Sequence, residues 1–340
     1  MIVDVTRFGA RGDGVHDDAE AILAACTRAA QIARECYPSP SAETFADVPP
    51  SDKDALWRAW LERADDQLWN TLGYPVRVHF PAGRYLMCRP LPVRVCFMGL
   101  TGDSLGRGHS ASMILAAHDG PAVHLGDWGH NMTVIDGLSI RRIQSKWYTG
   151  PGILVDGADW RRGLTIRRSD ISAHQGGIVI RPGGTFANLL VDDCRITQNH
   201  LAGVITEDGT HLTDGVIRDS MITQNEVGIR ISVKGFRIEG NDLEGQEEPL
   251  YVGGTNCGGL TIGPNYFEAT TESPCIRLGL VHGFRLSPQQ FSSNFGDNKP
   301  VYFGGHCEGV CEVPQSKCDL GPWPETNKIT FTVEDPYVAG

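Results

Sequence analysis

The chain has 340 residues, 41% hydrophobic and 21% charged, with 41 Gly, 20 Pro and a formal charge of −11, the composition of a folding sequence and not of a disordered one. No apolar run reaches the ~18 residues that a membrane-spanning helix needs. The acidic balance, without a Lys/Arg block, argues against nucleic acid as a partner, since phosphate contacts demand clustered positive charge.

The opening MIVDVTRFGARGDG lacks the basic, apolar, small-residue order of a signal peptide, so cytoplasmic synthesis is expected. Gly9, Gly12 and Gly14 allow a tight turn there, and Asp17 and Asp18 stand where a helix starts. From Asp17 to Cys36 the spacing predicts that helix, with Ile22, Leu23, Cys26, Ala30 and Ala33 on one face. A solenoid must cover its open end, and residues 1–36 read as an N-terminal strand and capping helix. Residues 37–75 read as a Pro-rich loop plus a helical insertion near Lys53–Asn70, whose Trp57, Trp60, Leu61, Ala64 and Leu68 form an apolar stripe.

VRVHFPAGRYLM at Val76 returns to strand, and residues 76–304 then repeat. One series runs GPAVHLG, GPGILVDG, GGIVIRPG, AGVITEDG, VGIRISVKG, EPLYVGG, SPCIRLG and KPVYFGG, in steps of 30, 25, 26, 25, 21, 26 and 25 residues. A second series, among them TIRRSDI, LVDDCRI and VIRDSMI, keeps step with it and carries apolar residues five apart. Ser169, Cys194, Ser220, Asn241 and Asn265 fall between those apolar pairs, where a tight bend with positive φ is expected. Each coil therefore reads as three short strands joined by loops and one tight bend. The fold class is all-β, a parallel β-helix. Residues 305–340 form a C-terminal cap or tail ending in the strand KITFTVEDPYV.

Cys26, Cys36, Cys88, Cys96, Cys194, Cys257 and Cys275 are scattered and read as buried free thiols of a reducing compartment. His306, Cys307, Cys311 and Cys318 gather in the tail without the close Cys pairs of structural zinc sites, so no metal is assigned there.

DVTRFGARGDGVHDDAEAI, followed by VHFPAGRYLM and the coils, resembles the pectate-lyase-like right-handed parallel β-helix superfamily over nearly the whole chain. That superfamily holds polysaccharide lyases, glycoside hydrolases, epimerases and tailspike-type depolymerases. The resemblance implies a carbohydrate-active protein, monomeric or homotrimeric, that acts on a long polysaccharide in a groove along the solenoid. None of the hydrolase or epimerase signature motifs is found, so no catalytic residue carries over. A noncatalytic glycan-binding or fibre solenoid is the alternative.

Side chains alternate along a strand, so the repeat itself predicts which residues face outward. The first outward row is His124, Leu154, Val179, Ile205, Arg230, Tyr251, Arg277 and Tyr302; the second is Gly126, Asp156, Arg181, Glu207, Ser232, Gly253, Gly279 and Gly304. Glu207, Asp156, Asp208, Arg181 and Arg230 are the catalytic candidates. Tyr251, Arg277, His124, Trp160, His200, His211, Asp214 and Lys234 are the substrate-binding ones. Two carboxylates two coils, or about 9.6 Å, apart permit inverting hydrolysis. An arginine between them suits a lyase, where it neutralises a uronate while Arg230, Lys234, His200 or Tyr251 takes a proton. No cofactor is required; calcium at Asp156, Glu207 and Asp208 is conceivable from their oxygen ligands.

Overall fold

The structure is a computed structural model that describes residues 1–36, 76–93, 98–106, 109–126, 133–156, 161–181, 185–207, 209–254, 257–268, 274–292, 299–322 and 324–332. The expected helix at Lys53–Asn70, Trp160 and Asp208 lie outside these residues.

Each repeat closes one coil of a β-solenoid. Among the described residues the coils stack into three long parallel sheets, one of fifteen strands and two of ten. Apolar residues at alternate positions of the strands point inward and stack on their equivalents. Ile135, Ile166, Val191, Ile217 and Ile238 do so in the fifteen-stranded first sheet; Ile140, Ile171, Ile196, Ile222 and Leu243 do so in the second. Val123, Ile153, Ile178, Val204, Ile229 and Leu250 fill the third. Each fully buried aliphatic side chain contributes about 1.5–3 kcal/mol, and branched residues suit the pleat on which they stack.

Two corners of the coil are fixed by polar side chains that point inward. At the bend between the first and second sheets, positive φ falls one residue earlier than the sequence predicts. It sits on Gly137, Arg168, Asp193, Asp219 and Gly240, with φ of 50–69°. Ser169, Cys194, Ser220 and Asn241, which follow four of these, and the equivalent Asn265 after Pro264 are buried instead, and their side chains bond backbone of their own or a neighbouring coil. The corner between the second and third sheets works the same way. Ala173, Gln198, Gln224 and Gly245 take positive φ, and His174, Asn199, Asn225 and Gln246 turn inward. There Asn225 Oδ1 accepts from the Asn199 backbone at 3.0 Å, and Asn225 Nδ2 donates to the Ile196 carbonyl at 3.0 Å. These ladders satisfy buried backbone groups that a tight corner leaves unpaired.

The helix Ala19–Cys36 covers the N-terminal end, burying Ile22, Ala25, Cys26, Ala29, Ile32 and Ala33, while Leu23 and Ala30 pack at its margin. Asp17 Oδ1 accepts from the Ala19 N–H at 3.0 Å, a capping bond. Asp18 does something else: its carboxylate takes the N–H groups of Arg11 and Gly12, clamping the glycine turn onto the helix start. At the other end Lys328–Phe331 pairs in parallel with Cys307–Cys311 as the expected last strand. Cys26, Cys194, Cys257, Cys275, Cys307, Cys311 and Cys318 are buried free thiols, but Cys88 is exposed, its backbone N–H on Asp17. No helix among the described residues is long and apolar enough to cross a membrane.

Candidate functional site

The third sheet carries the residues predicted to line a groove, and its register reproduces their first row. His124, Leu154, Val179, Ile205, Arg230, Tyr251, Arg277 and Tyr302 pair in succession. Asp156, Arg181 and Glu207 follow their strands on consecutive coils. Arg181 N donates to the Val155 carbonyl and Glu207 N to the Ile180 carbonyl, each at 2.9 Å. A rigid solenoid thus sets the spacing of the two carboxylates.

Each carboxylate has a basic side chain beside it. Arg181 Nε donates to Glu207 Oε1 at 3.3 Å, and His124 Nε2 lies 3.6 Å from Asp156 Oδ2. A carboxyl that gives up its proton needs an apolar wall beside it. Glu207, 42% exposed and held by a guanidinium, has the setting of an acceptor or an electrostatic partner instead. Of the three oxygen ligands conceivable for calcium, Asp156 and Glu207 stand on the coils either side of Arg181, and Asp208 lies outside the described residues. The outward Leu154 and Val179, predicted to line an open face, are only 3% and 8% exposed, so the floor between these charged residues is apolar and covered.

Farther along the groove, Glu248 changes the expected charge. It accepts from Arg230 Nε at 3.0 Å and Nη2 at 2.5 Å, and Arg277 Nη1 lies 3.7 Å away. The two arginines therefore share a largely buried carboxylate and do not present a bare positive surface. Arg230 lies 5.8 Å from the Tyr251 ring centre and Arg277 5.4 Å from that of Tyr302. The tyrosine rings lie across the second row, which explains its glycines. A Cβ on Gly253 would come within 2.7 Å of the Tyr251 hydroxyl, and one on Gly304 within 2.6 Å of the Tyr302 ring. Burial, then the Glu248 charge, pushes the Tyr251 phenol above its ordinary value. Tyr251 is thus rarely ionised and a poor base, contrary to one sequence expectation. Glu248 was missed because its equivalents Gly176, Ala202 and Val227 are small or apolar; its acidic side chain in that row was the available signal.

The remaining candidates divide between the two edges. His211 begins a first-sheet strand, yet its Nδ1 reaches Ser232 Oγ at 3.0 Å, and Ser232 is the second-row residue one coil beyond Glu207. Asp214, an exposed turn residue with φ of 53°, and Lys234, an exposed first-sheet residue, lie past that edge and do not join the groove residues. His200 is on the opposite edge, its ring 5.2 Å from that of Tyr148.

A separate cleft of about 640 Å³ opens on the second sheet, lined by Asp242, Asn265, Tyr266, Gln290, Pro264 and Pro288 among others. Burial, then the charges of Glu244 and Glu268, raises the Asp242 carboxyl from its ordinary value. The Tyr266 hydroxyl donates to Glu268 Oε2 at 2.7 Å.

The family model described as "right handed beta helix region" matches residues 151–307. No match was found among curated proteins. Among solved structures, the chain is similar to DFA-IIIase from Arthrobacter chlorophenolicus A6 without its lid (11% identity, 99% of this chain and 91% of that one, TM-score 0.52). It is also similar to the enzymatically active domain of bacteriophage CBA120 tailspike protein 2 (12% identity, 98% of this chain, TM-score 0.55), of which it spans 46%. Sheet order, coil repeat and family match agree on the fold: the chain is a right-handed parallel β-helix.

Proposed function

We propose that the protein is a polysaccharide-cleaving enzyme whose groove on the third sheet takes a uronic-acid polymer, and that it acts as a lyase. The observation that carries this is the Asp156–Arg181–Glu207 ladder, with Arg181 bonded to Glu207 at 3.3 Å. A lyase needs a cation to neutralise the uronate carboxylate and a base to take the proton on the adjacent carbon. Arg181 supplies the first. His211, held by Ser232 beside the same ladder, supplies the second. A hydrolase in this groove would lack a shielded proton donor. The glycan named in a neighbour's function belongs to that neighbour; DFA-IIIase and the tailspike domain support a carbohydrate substrate only through a shared fold.

The test is incubation with polygalacturonate and with alginate, followed by the absorbance of unsaturated uronate ends. A rise supports the lyase. New reducing ends without that absorbance would assign a hydrolase. Binding with unchanged polymer length would assign a noncatalytic glycan binder, a reading consistent with Arg181 and Glu207 already pairing with one another.

A further inference from the structure

One coil is longer than its neighbours at a single place. Ile140, Ile171 and Ile196 are equivalent on the second sheet, as are Ile153, Ile178 and Val204 on the third. The chain takes 7 steps from Ile171 to Ile178 and 8 from Ile196 to Val204, but 13 from Ile140 to Ile153. The extra residues form a short turn, Gln144–Lys146, followed by Trp147 and Tyr148. Neither aromatic residue closes the solenoid, since the neighbouring coils turn this corner without them.

The turn is anchored to the coils on both sides. Lys146 Nζ meets Asp119 Oδ1 at 3.2 Å, Thr149 Oγ1 donates to the Lys146 carbonyl at 2.8 Å, and Tyr148 N donates to the Ala173 carbonyl at 3.3 Å. Gly150 is required behind it, because a Cβ there would lie 2.5 Å from the Asp119 carbonyl oxygen. This anchoring displays two large apolar side chains to solvent: Trp147 is 37% and Tyr148 43% exposed. Tyr148 has φ of 64°, a left-handed conformation that costs a bulky residue free energy and that stability alone would assign to glycine. The Trp147 and Tyr148 rings lie 5.9 Å apart, and the His200 ring lies 5.2 Å from Tyr148. Exposed Leu201 follows His200 directly and leads into the strand Ala202–Thr206, which Glu207 follows.

We propose that Trp147, Tyr148 and His200 form a sugar-stacking shelf, a remote subsite that holds one ring of the polymer whose other sugars cross the groove. This rests on the groove reading above. The occupant is an apolar sugar face: aromatic rings offer flat C–H-binding surfaces, and the one lysine in the turn is already paired with Asp119. The shelf is continuous with the groove through the strand Ala202–Thr206. At ~3.3 Å per residue, His200 and Glu207 are about 23 Å apart along the chain, several sugar units. The shelf therefore acts on long chains and not on short ones.

The experiment compares the protein with Trp147→Ala and Tyr148→Gly on an array of polygalacturonate, alginate and bacterial capsular polysaccharides, each printed as polymer and as short oligosaccharide. Tyr148→Gly removes the ring while relieving the positive φ, so it should melt at the same or a higher temperature. The expected result is a loss of polymer affinity of tenfold or more in both variants, with oligosaccharide binding unchanged and folding retained. Variants that bind polymer as the parent does would overturn the shelf and leave the groove reading standing. A parent protein that binds no glycan on the array would overturn both.

Discussion

The Nε–H of Arg142 donates to Nδ1 of His174 at 3.3 Å in the interior of the solenoid. His174 Nε2 lies 3.1 Å from the Ile140 carbonyl, so the two bonds place its one proton on Nε2 and leave the ring neutral. Arg142 spends its other donors on the carbonyls of His118, Gly120 and Pro151. An imidazole here takes the corner position that Asn199 and Asn225 hold on the next coils.

This pair predicts acid sensitivity. Burial, then the Arg142 charge, depresses His174 to about 3, and burial likewise takes His118 to about 4. In the unfolded chain both would protonate near the ordinary histidine value of about 6.5. The unfolded state thus binds more protons below that value, and stability is lost as pH falls from about 6.5 toward 4. His174→Asn keeps a ladder side chain and removes one titration. Its melting temperature should decline less steeply between pH 7 and 4 than that of the parent; equal slopes would refute the assignment.

Asp242 predicts the opposite sign. Its folded carboxyl is raised, so the folded state holds the proton more tightly, and the cost of ionising it appears as pH rises above the ordinary aspartate value of 3.8. Asp242→Asn should therefore melt higher than the parent at pH 7, and the gap should close on acidification below pH ~4.

Glu248 sets the charge of the far half of the groove. Glu248→Gln leaves Arg230 and Arg277 without their shared carboxylate. Affinity for polygalacturonate should rise several-fold at low salt, and the rise should shrink at high salt as the freed charge is screened. Binding that weakens instead would mean that Glu248 chiefly positions the two arginines.

Most of the solenoid was legible because it is periodic. A step of about 25 residues and strict alternation located the inward isoleucines and both outward rows, down to the pairing of Arg230 with Tyr251. Positive φ was expected at Ser169 and its equivalents because small polar residues suit such turns; in the structure they bond backbone from inside, and Arg168, Asp193 and Asp219 take the strain beside them. Period alone cannot report contacts between rows. Hence the Glu248 clamp on Arg230 and the cover over Leu154 were invisible, and so was the tilted ring contact of Tyr148 with His200, whose positions differ by 52 in sequence.

The internal ladder gives a stability test. Asn225→Ala deprives the Asn199 backbone and side chain of an acceptor and the Ile196 carbonyl of a donor, all in the buried interior. Each orphaned group costs about 1–3 kcal/mol, and relaxation recovers part of the sum, so a loss of about 2–4 kcal/mol in denaturant unfolding is expected. A loss below about 0.5 kcal/mol would show that water replaces the amide.

Glu207 is the carboxylate that the proposed chemistry can least spare. It follows the apolar strand Ala202–Thr206, so the solenoid fixes its position, and its partner Arg181 is the cation assigned to the substrate's carboxylate. Glu207→Gln keeps the shape and one acceptor for Arg181 but removes the charge, so the fold should survive while the guanidinium is oriented less firmly. Activity on polygalacturonate or alginate, whichever is cleaved, should fall by roughly 10²-fold, as for a lost acid–base or electrostatic group. Asp156→Asn separates the chemistries: a hydrolase that needs both carboxylates would lose as much, whereas a lyase built on Arg181 and His211 would lose far less. His211→Ala should then be as damaging as Glu207→Gln. If both Glu207→Gln and His211→Ala retain near full activity, the ladder is a solvated row of paired charges and the chemistry lies elsewhere on the solenoid.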